Sequence, residues 1–234
     1  MFYNKNLIDI LYQELGSEIS MFLSSYATNF YQYLSRILAL FIVLPIHESA
    51  HALMAYWLGD KTAKWEGRLS LNPMRHLSLW GSLALILIGF GWANPVPINC
   101  YNFKKVKDPK VGFALCALAG PLANFLLAIV TMIIFKILLV YGFKNAFLTN
   151  LLLQLTLISI YLMVFNLLPI PPLDGSRILS VFLKDETYHK LLMYENIIMI
   201  AVFFLISTRI LSEPIMFMSH MVISFIDLIT WFIK

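Results

Sequence analysis

Long apolar stretches, separated by short polar ones, dominate the pattern of hydrophobic and polar positions along this chain. Runs of roughly 20 residues with few charges are long enough to cross a hydrocarbon core of about 30 Å as helices. The segments that meet this criterion are residues 34–58, 111–141, 149–168, 191–211 and 215–233. The pattern therefore predicts an all-α polytopic membrane protein with about five to six transmembrane helices.

A further apolar run, residues 77–92, has only 16 residues and is marginal for a membrane span. It lies within residues 59–110, whose polar stretches on either side hold eight Lys or Arg against three acidic residues. Positive loops favour the cytoplasmic side, so both polar stretches are predicted there. The run between them then cannot cross. It either enters the membrane and returns as a short re-entrant or β-like element, with Gly81, Gly89 and Gly91 permitting the bend, or lies in the interface.

Composition supports the membrane assignment. Hydrophobic residues make up 60% of the 234 positions, charged residues make up 13%, and the mean hydropathy is +0.78. Soluble domains of this size do not combine these values. The bases behind the net charge of +4 lie in loops beside apolar segments, where membrane topology and anionic lipids account for them. The expected partner is therefore the lipid bilayer and not a nucleic acid.

One motif inside the first apolar segment carries candidate chemistry. His47, Glu48 and His51 form the pattern H-E-x-x-H. On a helix the two histidines project from one face at a spacing that suits two zinc ligands, and Glu48 lies beside the metal. The alternatives are buried polar residues bonded to neighbouring helices and a purely structural metal. Burying these groups is costly unless a cation or a dense hydrogen-bond network compensates, so the motif favours a metal site.

A hydrolytic zinc usually has three protein ligands and an open position for water, so a third ligand is expected elsewhere in the chain. Asp174 is the preferred candidate, because the proline-broken stretch 169–175 cannot remain helical and would line a polar cavity. His76, His189 and His220 are the remaining lone histidines. Two predicted helices between the motif and Asp174 return the chain to the same side of the membrane, which also favours Asp174.

Three such ligands predict amide hydrolysis. The pKa of a water on zinc falls to about 7, and Glu48 can act as its general base and then deliver the proton to the leaving amine. The oxyanion of the tetrahedral intermediate needs a further donor. Asn166 and Asn124 are polar residues in apolar segments, and either could supply an amide N–H. For Asn124 an interhelical hydrogen bond is an equal alternative.

With these motifs the sequence resembles the site-2 protease family of intramembrane metalloproteases, in its small bacterial form without PDZ or CBS modules. The resemblance extends from about Pro45 to Leu183. It rests on HESAH at 47–51, GRLSLNPMRHL at 67–77, GWANPVPIN at 91–99, ALAGPLANFLLA at 117–128 and FNLLPIPPLDGSRIL at 165–179. The family's common N-P-D-G stands here as P-P-L-D-G.

The resemblance, carried over residue by residue, implies roles for the candidate site residues. It implies that His47, His51 and Asp174 bind zinc and that Glu48 is the catalytic glutamate. Asn166, eight residues before Asp174, matches the asparagine that is proposed to steady the substrate or the oxyanion.

The resemblance also implies how a transmembrane protein substrate is presented. Asn124 falls in the family's G-P-x-x-N element and is assigned to substrate binding. Asn94, Pro95, Val96 and Pro97 are expected to offer an extended edge near the site, since prolines suit edge strands. A transmembrane helix hides its scissile carbonyls in hydrogen bonds, so the substrate is expected to unwind and to add to this edge as a strand.

The predicted function is that of an intramembrane zinc metalloprotease in the bacterial cytoplasmic membrane, with its active site toward the cytoplasmic side. The predicted domains are an interfacial or partly membrane-embedded N-terminal segment (1–33), a catalytic core (34–183) and C-terminal transmembrane helices (184–234). The alternatives are a catalytically silent protein that binds membrane helices and a metal transporter of the same fold. The intact Glu48 argues against the first, and the single histidine cluster argues against the second.

Two further residues near these motifs receive structural interpretations. His76 is a loop histidine, for which a structural role is favoured over a catalytic one. Arg177, just past Gly175, is expected to orient lipid headgroups or to cap a loop rather than to bind substrate.

Overall fold

The computed structural model describes residues 30–78, 81, 94–143, 145–208 and 210–233. The helices within these ranges are α1 (Phe30–Leu58), α2 (Thr62–Trp65), α3 (Pro109–Val140), α4 (Ala146–Asn166), α5 (Asp174–Leu179), α6 (Asp185–Met193), α7 (Glu195–Ser207) and α8 (Ser212–Ile229). Two 3-10 turns, Pro73–Arg75 and Cys100–Asn102, lie between α2 and α3. The predicted all-helical polytopic class is confirmed.

Within the described ranges, four helices are long and apolar enough to cross a membrane, namely α1, α3, α4 and α8. Capping residues explain where two of them begin. The Asp108 side chain accepts a hydrogen bond from the Lys110 N–H at the start of α3, and the Asn145 side chain accepts one from the Leu148 N–H at the start of α4. The chain is an integral membrane protein, and the predicted spans agree with these helices to within a few residues.

The helix predicted over residues 191–211 is shorter in the structure. Helix α6 ends at Met193, helix α7 begins at Glu195, and the two are bent by 62° relative to each other. Glu195 lies in the first turn of α7, where a negative charge interacts favourably with the helix dipole. A charged residue inside an apolar run therefore marks a helix start, and the bent pair is apolar enough for a broken span or a re-entrant element.

Helices α1, α3 and α4 pack against one another and form the centre of the fold. Helix α3 is two-faced. One face carries buried small residues, among them Gly112, Gly120 and Ala128, and the opposite face carries large exposed residues such as Leu122 and Leu126. Small residues let neighbouring helices approach closely, while large apolar side chains suit contact with lipid. Helix α3 therefore faces protein on one side and the bilayer on the other.

Helix α8 joins this centre near the last turns of α3. Ile223 of α8 and Met132 of α3 belong to one buried apolar cluster. Beside it, Lys136 Nζ lies 2.6 Å from Asp227 Oδ1 and 3.4 Å from the carbonyl oxygen of Thr230. A buried lysine needs such partners, because an unpaired charge inside an apolar region is costly.

The connection between α1 and α3 is held to the end of α1 by Asp60. This buried carboxylate accepts hydrogen bonds from the Thr62 N–H and hydroxyl, at 3.0 and 2.6 Å, from the Asn99 N–H at 2.8 Å and from the Asn102 amide at 2.9 Å. Burial raises the pKa of the Asp60 carboxyl, but these hydrogen bonds stabilise its charged form and leave the pKa below the ordinary value.

The predicted re-entrant element, residues 77–92, lies almost entirely outside the described residues. The residues that flank it meet, because the Asn94 N–H donates to the His76 carbonyl oxygen at 2.7 Å and the Asn94 amide donates to the Leu77 carbonyl oxygen at 3.3 Å. The two polar stretches around the run therefore meet, and their cytoplasmic location stays a prediction. Residues 1–29 of the predicted N-terminal segment also lie outside the described residues, and the division into three domains stays a prediction.

Candidate metal centre

Three buried side chains converge between α1 and α5. His47 Nε2 and His51 Nε2 are 3.0 Å apart, and Asp174 Oδ2 lies 3.3 Å from the first and 3.2 Å from the second. In the part of the chain that the structure describes, no other group of three or more His, Cys, Asp or Glu side chains brings its ligand atoms this close together. The three residues that the sequence nominates as ligands are therefore neighbours in the fold.

Local backbone geometry explains this convergence. His47 and His51 are one helical turn apart on α1, and their rings meet edge to face with centroids 4.6 Å apart. Asp174 is the first residue of α5. The next residue, Gly175, lies against the carbonyl oxygens of Leu167 and Leu168, where any Cβ would overlap with them. A glycine is needed here because α5 starts directly against the end of α4, and this contact brings Asp174 to the histidines.

Helix α3 holds the His51 imidazole in place. His51 Nδ1 lies 2.7 Å from the carbonyl oxygen of Cys116, so Nδ1 carries the hydrogen and Nε2 keeps its lone pair. One turn further along α3, Gly120 faces the imidazoles of His51 and His47, and a Cβ at this position would overlap with both rings. The small residue in α3 thus makes room for the two histidines.

Asn124, also on α3, lies against His47. It is fully buried, and its Nδ2 lies 3.0 Å from His47 Nδ1, while its Oδ1 makes no hydrogen bond within the described residues. Rotating the amide by 180° exchanges Oδ1 and Nδ2 without changing the shape of the side chain. Oδ1 then accepts a hydrogen bond from the His47 Nδ1–H, so both groups have a partner. This contact supports a role in orienting His47, and the substrate contact assigned to Asn124 stays a prediction.

The chemistry of the three convergent atoms fits a zinc ion. Tetrahedral zinc with bonds of about 2.0–2.1 Å separates its ligand atoms by about 3.3–3.4 Å, close to the distances found here. Asp174 Oδ2 lies near both Nε2 atoms yet makes no hydrogen bond of acceptable geometry within the described chain. The buried Oδ2 thus has unmet acceptor capacity beside two imidazole nitrogens, and a cation is the group that would satisfy it.

A cavity of about 100 Å³ opens onto the three ligands, and Glu48 lines it. The N–H of Val96 donates a hydrogen bond of 3.1 Å to Glu48 Oε2. Pro95 and Val96 also line the cavity, and residues 94–99 form no helix or strand. The segment predicted to present substrate therefore lies beside the predicted general base.

Asn166, at the end of α4, lines the same cavity. Its amide donates a hydrogen bond of 2.9 Å to the carbonyl oxygen of Leu162, one turn earlier. An asparagine amide has two N–H donors, so one remains beyond this bond. The position of Asn166 is compatible with a donor to the substrate, and this role stays a prediction.

The other histidines lie elsewhere. His76 is fully buried, and its Nε2 lies 2.6 Å from the Ser70 carbonyl oxygen, which agrees with a structural role. His189 lies on the exposed helix α6, and His220 lies on α8. Neither of these two belongs to the group around Asp174.

The interpretation of Arg177 as a residue for lipid headgroups or loop capping missed its main contacts. The Arg177 guanidinium lines the cavity, and its nitrogen lies 3.6 Å from Asp174 Oδ1. The signal available in the sequence was the spacing, since residues three apart at a helix start lie side by side. This spacing brings the two residues together only if α5 begins at Asp174, and the prolines before Asp174 gave no indication of a helix start there.

The fold and this centre define a class of protein: a polytopic membrane protein with a candidate metal centre built between its helices. The model of Peptidase family M50 matches residues 141–208, a range that contains Asn166 and Asp174. No solved structure matches the chain significantly.

Known relatives agree with this class. A Bacillus subtilis protein named "Putative zinc metalloprotease YwhC" is 39% identical over 168 residues, which cover 68% of this chain and 74% of the relative. The proteins that carry the same description under the name Rip2 are 30% identical over 160 residues in Mycolicibacterium smegmatis and 29% identical over 154 residues in Mycobacterium tuberculosis. These matches cover 63% and 64% of this chain, and 57% and 58% of the two relatives. The chain belongs to peptidase family M50, the site-2 protease family, and is a metallopeptidase of that type.

Proposed function

We propose that this chain is an intramembrane zinc metalloprotease that hydrolyses peptide bonds within or next to transmembrane segments of membrane proteins. The observation that carries the proposal is the convergence of three buried ligand atoms, 3.0–3.3 Å apart, on a cavity that also contains a carboxylate. The names of the relatives support zinc as the metal. His47, His51 and Asp174 would hold the zinc ion, which would act as a Lewis acid that polarises the scissile carbonyl and lowers the pKa of water.

Glu48 acts as the general base. It follows His47 directly and lines the cavity, so its carboxylate can take a proton from the attacking water and return it to the leaving amine. The Val96 N–H occupies Oε2 of this carboxylate, which leaves Oε1 for proton transfer. The second N–H of the Asn166 amide is the proposed donor to the oxyanion of the substrate.

The hydrogen-bonding groups of the stretch from Asn94 to Pro97 support substrate binding by strand addition. Pro95 and Pro97 have no N–H, and the N–H groups of Asn94 and Val96 already donate to the protein. The Asn94 carbonyl oxygen accepts a hydrogen bond of 3.4 Å from Arg68 Nη1, so the stretch offers an incoming strand the carbonyl oxygens that follow it and no free N–H. The substrate must bring N–H donors of its own, which a transmembrane helix has only after it unwinds.

The charge of the α1–α3 connection supports a site toward the cytoplasmic side of a bacterial cytoplasmic membrane. Residues 59–110 carry eight Lys or Arg against three acidic residues, and positive loops favour the cytoplasm. The ligands on α1 lie in the half of that helix nearer to this connection. A water-accessible route from the cytoplasm to the cavity is therefore short.

The experiment that tests the proposal compares Glu48→Gln with a matched control, Glu66→Gln, which changes an exposed glutamate of the connection. Both variants and the unchanged full chain are purified and assayed for zinc content and for cleavage of a model transmembrane substrate. We expect Glu48→Gln to keep its zinc and to lose about 10²- to 10⁴-fold in kcat, the usual contribution of a general base. Glu66→Gln should match the unchanged chain in both measurements.

Two outcomes contradict the proposal separately. Cleavage by Glu48→Gln at the unchanged rate refutes the assignment of the base. An unchanged chain that cleaves its substrate yet contains no metal refutes the zinc centre.

A further inference from the structure

One cation in the cavity has no part in the mechanism proposed above. Arg177 lies three residues after Asp174, and its guanidinium lines the cavity together with Glu48 and Asn166. The Arg177 side chain is 27% exposed, whereas the Asp174 side chain is 7% exposed. The guanidinium therefore reaches from the open part of the cavity to a buried carboxylate.

The two oxygens of Asp174 face different partners. Oδ2 lies 3.3 and 3.2 Å from the Nε2 atoms of His47 and His51, and Oδ1 lies 3.6 Å from an Arg177 guanidinium nitrogen. A carboxylate that ligates a metal through one oxygen can rotate and exchange its oxygens unless the second one is held. Partners of this kind orient ligands and tune their affinity for the metal.

The guanidinium is itself held by α3. Its central carbon lies 5.0 Å from the centroid of the Phe113 ring, at the distance of a cation–π contact. Planar guanidinium groups stack on aromatic faces in this way, and stacking limits their freedom. Arg177 thus bridges the start of α5 to the first turns of α3.

The outer partners of the three ligands depend on the same helix. The Cys116 carbonyl oxygen contacts His51 Nδ1, Asn124 contacts His47 Nδ1, and Phe113 supports the arginine that faces Asp174. These three outer residues all belong to α3, within eleven residues of one another. One helix that carries no ligand therefore contacts two of the ligands directly and supports the third through Arg177.

We propose that Arg177 is a positioning residue for the metal ligand Asp174: it holds Oδ1 so that Oδ2 stays directed at the two imidazoles. This inference rests on the proposed zinc centre and adds a residue that its three ligands do not include. It makes zinc affinity, and not substrate binding, the property that depends first on Arg177.

The test measures the zinc affinity of the purified full chain by competition with a chromophoric chelator. We expect Arg177→Gln to bind zinc about 10- to 100-fold more weakly than the unchanged chain, the usual effect of removing an outer-shell partner. Arg177→Lys should fall between the two, since it keeps a positive charge but loses the planar group. Lys110→Gln is the matched control, because Lys110 is a cation of the first turn of α3 that pairs with Asp185 and does not line the cavity. It should bind zinc as the unchanged chain does.

Phe113→Leu provides a second variant that does not alter Arg177 itself. Loss of the stacking contact should weaken zinc binding by a smaller factor than Arg177→Gln, in the same direction. If Arg177→Gln loses its helical fold, the result for Phe113→Leu and Arg177→Lys decides the inference, and unchanged affinity in both overturns it.

Asp174→Asn, measured in parallel, separates this inference from the proposed function. Zinc affinity that is lost in Asp174→Asn but unchanged in Arg177→Gln overturns the role of Arg177 and leaves the zinc centre intact. Zinc affinity that is unchanged in Asp174→Asn overturns the centre itself, and with it both proposals.

Discussion

Two groups of buried or partly buried ionisable residues lie along α3, and they differ in whether their charges are paired within the protein. Around its first half, two imidazoles and the Asp174 carboxylate turn their ligand atoms toward a common point. Near its end, Lys136 and Asp227 meet at 2.6 Å with opposite charges. The first group needs a cation from outside, whereas the second is neutral as a pair. Buried charge alone therefore does not mark a functional site, and the balance of donors and acceptors does.

The two groups are also independent in space. Lys136 follows Gly120, the residue that faces the imidazoles, by sixteen positions, which is about 24 Å along a helix. Effects of changes this far apart usually add. A substitution in the ion pair should therefore leave zinc binding unchanged, and removal of the metal should leave the ion pair intact.

Removal of metal should have the largest effect. Treatment of the purified full chain with a strong chelator should reduce peptidase activity to background, and added zinc should restore it. Thermal unfolding should also shift downward, because a ligand present at 1,000 times its Kd stabilises the folded state by about 4 kcal/mol. The Lys136→Met variant should show the same shift on chelation as the unchanged chain. A much smaller shift in that variant would mean that the two groups are coupled.

Breaking the ion pair should have the next largest effect. Lys136→Met leaves Asp227 without its partner and should lower the free energy of unfolding by roughly 2–3 kcal/mol, less than for a fully buried pair because Asp227 is 27% exposed. The double variant Lys136→Met, Asp227→Leu should recover most of this loss, since apolar residues can replace a buried pair. Unfolding in detergent measures stability, and zinc content measures the other group.

Zinc content should be the same in both ion-pair variants and in the unchanged chain. If Lys136→Met loses zinc, the ion pair does more than connect α8 to α3 and is not a purely structural group.

The smallest effect is expected at Asp60, outside the membrane spans. The pKa of Asp60 is lowered in the folded state, so its charged form adds stability at pH values above the unfolded pKa of about 3.9. That stability is lost as the pH falls through the folded pKa. Asp60→Asn should therefore cost about 1–2 kcal/mol near pH 7 and progressively less below about pH 4. Melting temperatures of both proteins between pH 2 and 7 check this, and a constant difference would contradict it.

Particular residues show how far the sequence could predict this molecule. The apolar runs predicted the four long helices to within a few residues, because period and length are local properties of the chain. His47 and His51 could be paired from spacing alone, since four residues make one helical turn. The break at Tyr194 could not be read from hydropathy, because the residues around it form one apolar run in which Glu195 is the only charged residue.

Other features depended on contacts between distant segments. The sequence placed Asp174 on the side of the histidines by counting crossings, but its distance of about 3 Å depends on α5 starting against the end of α4. Asn124 was nominated for substrate binding or for an interhelical hydrogen bond, and it lies against His47 of α1. Arg177 was assigned to lipid headgroups or loop capping, and it lies 3.6 Å from Asp174 Oδ1. Helix spacing shows which side chains share a face and not which neighbour that face meets.

The sequence by itself determined that this chain is a helical membrane protein with a zinc-type motif, because hydropathy and helical spacing act over a few turns. Only the tertiary structure decided how close Asp174 lies to the two imidazole nitrogens, which groups of α3 contact the histidines, and that the Val96 N–H contacts Glu48. The reason is physical: a metal centre needs atoms placed to within a few tenths of an ångström, and this precision comes from the packing of helices that lie far apart in the chain.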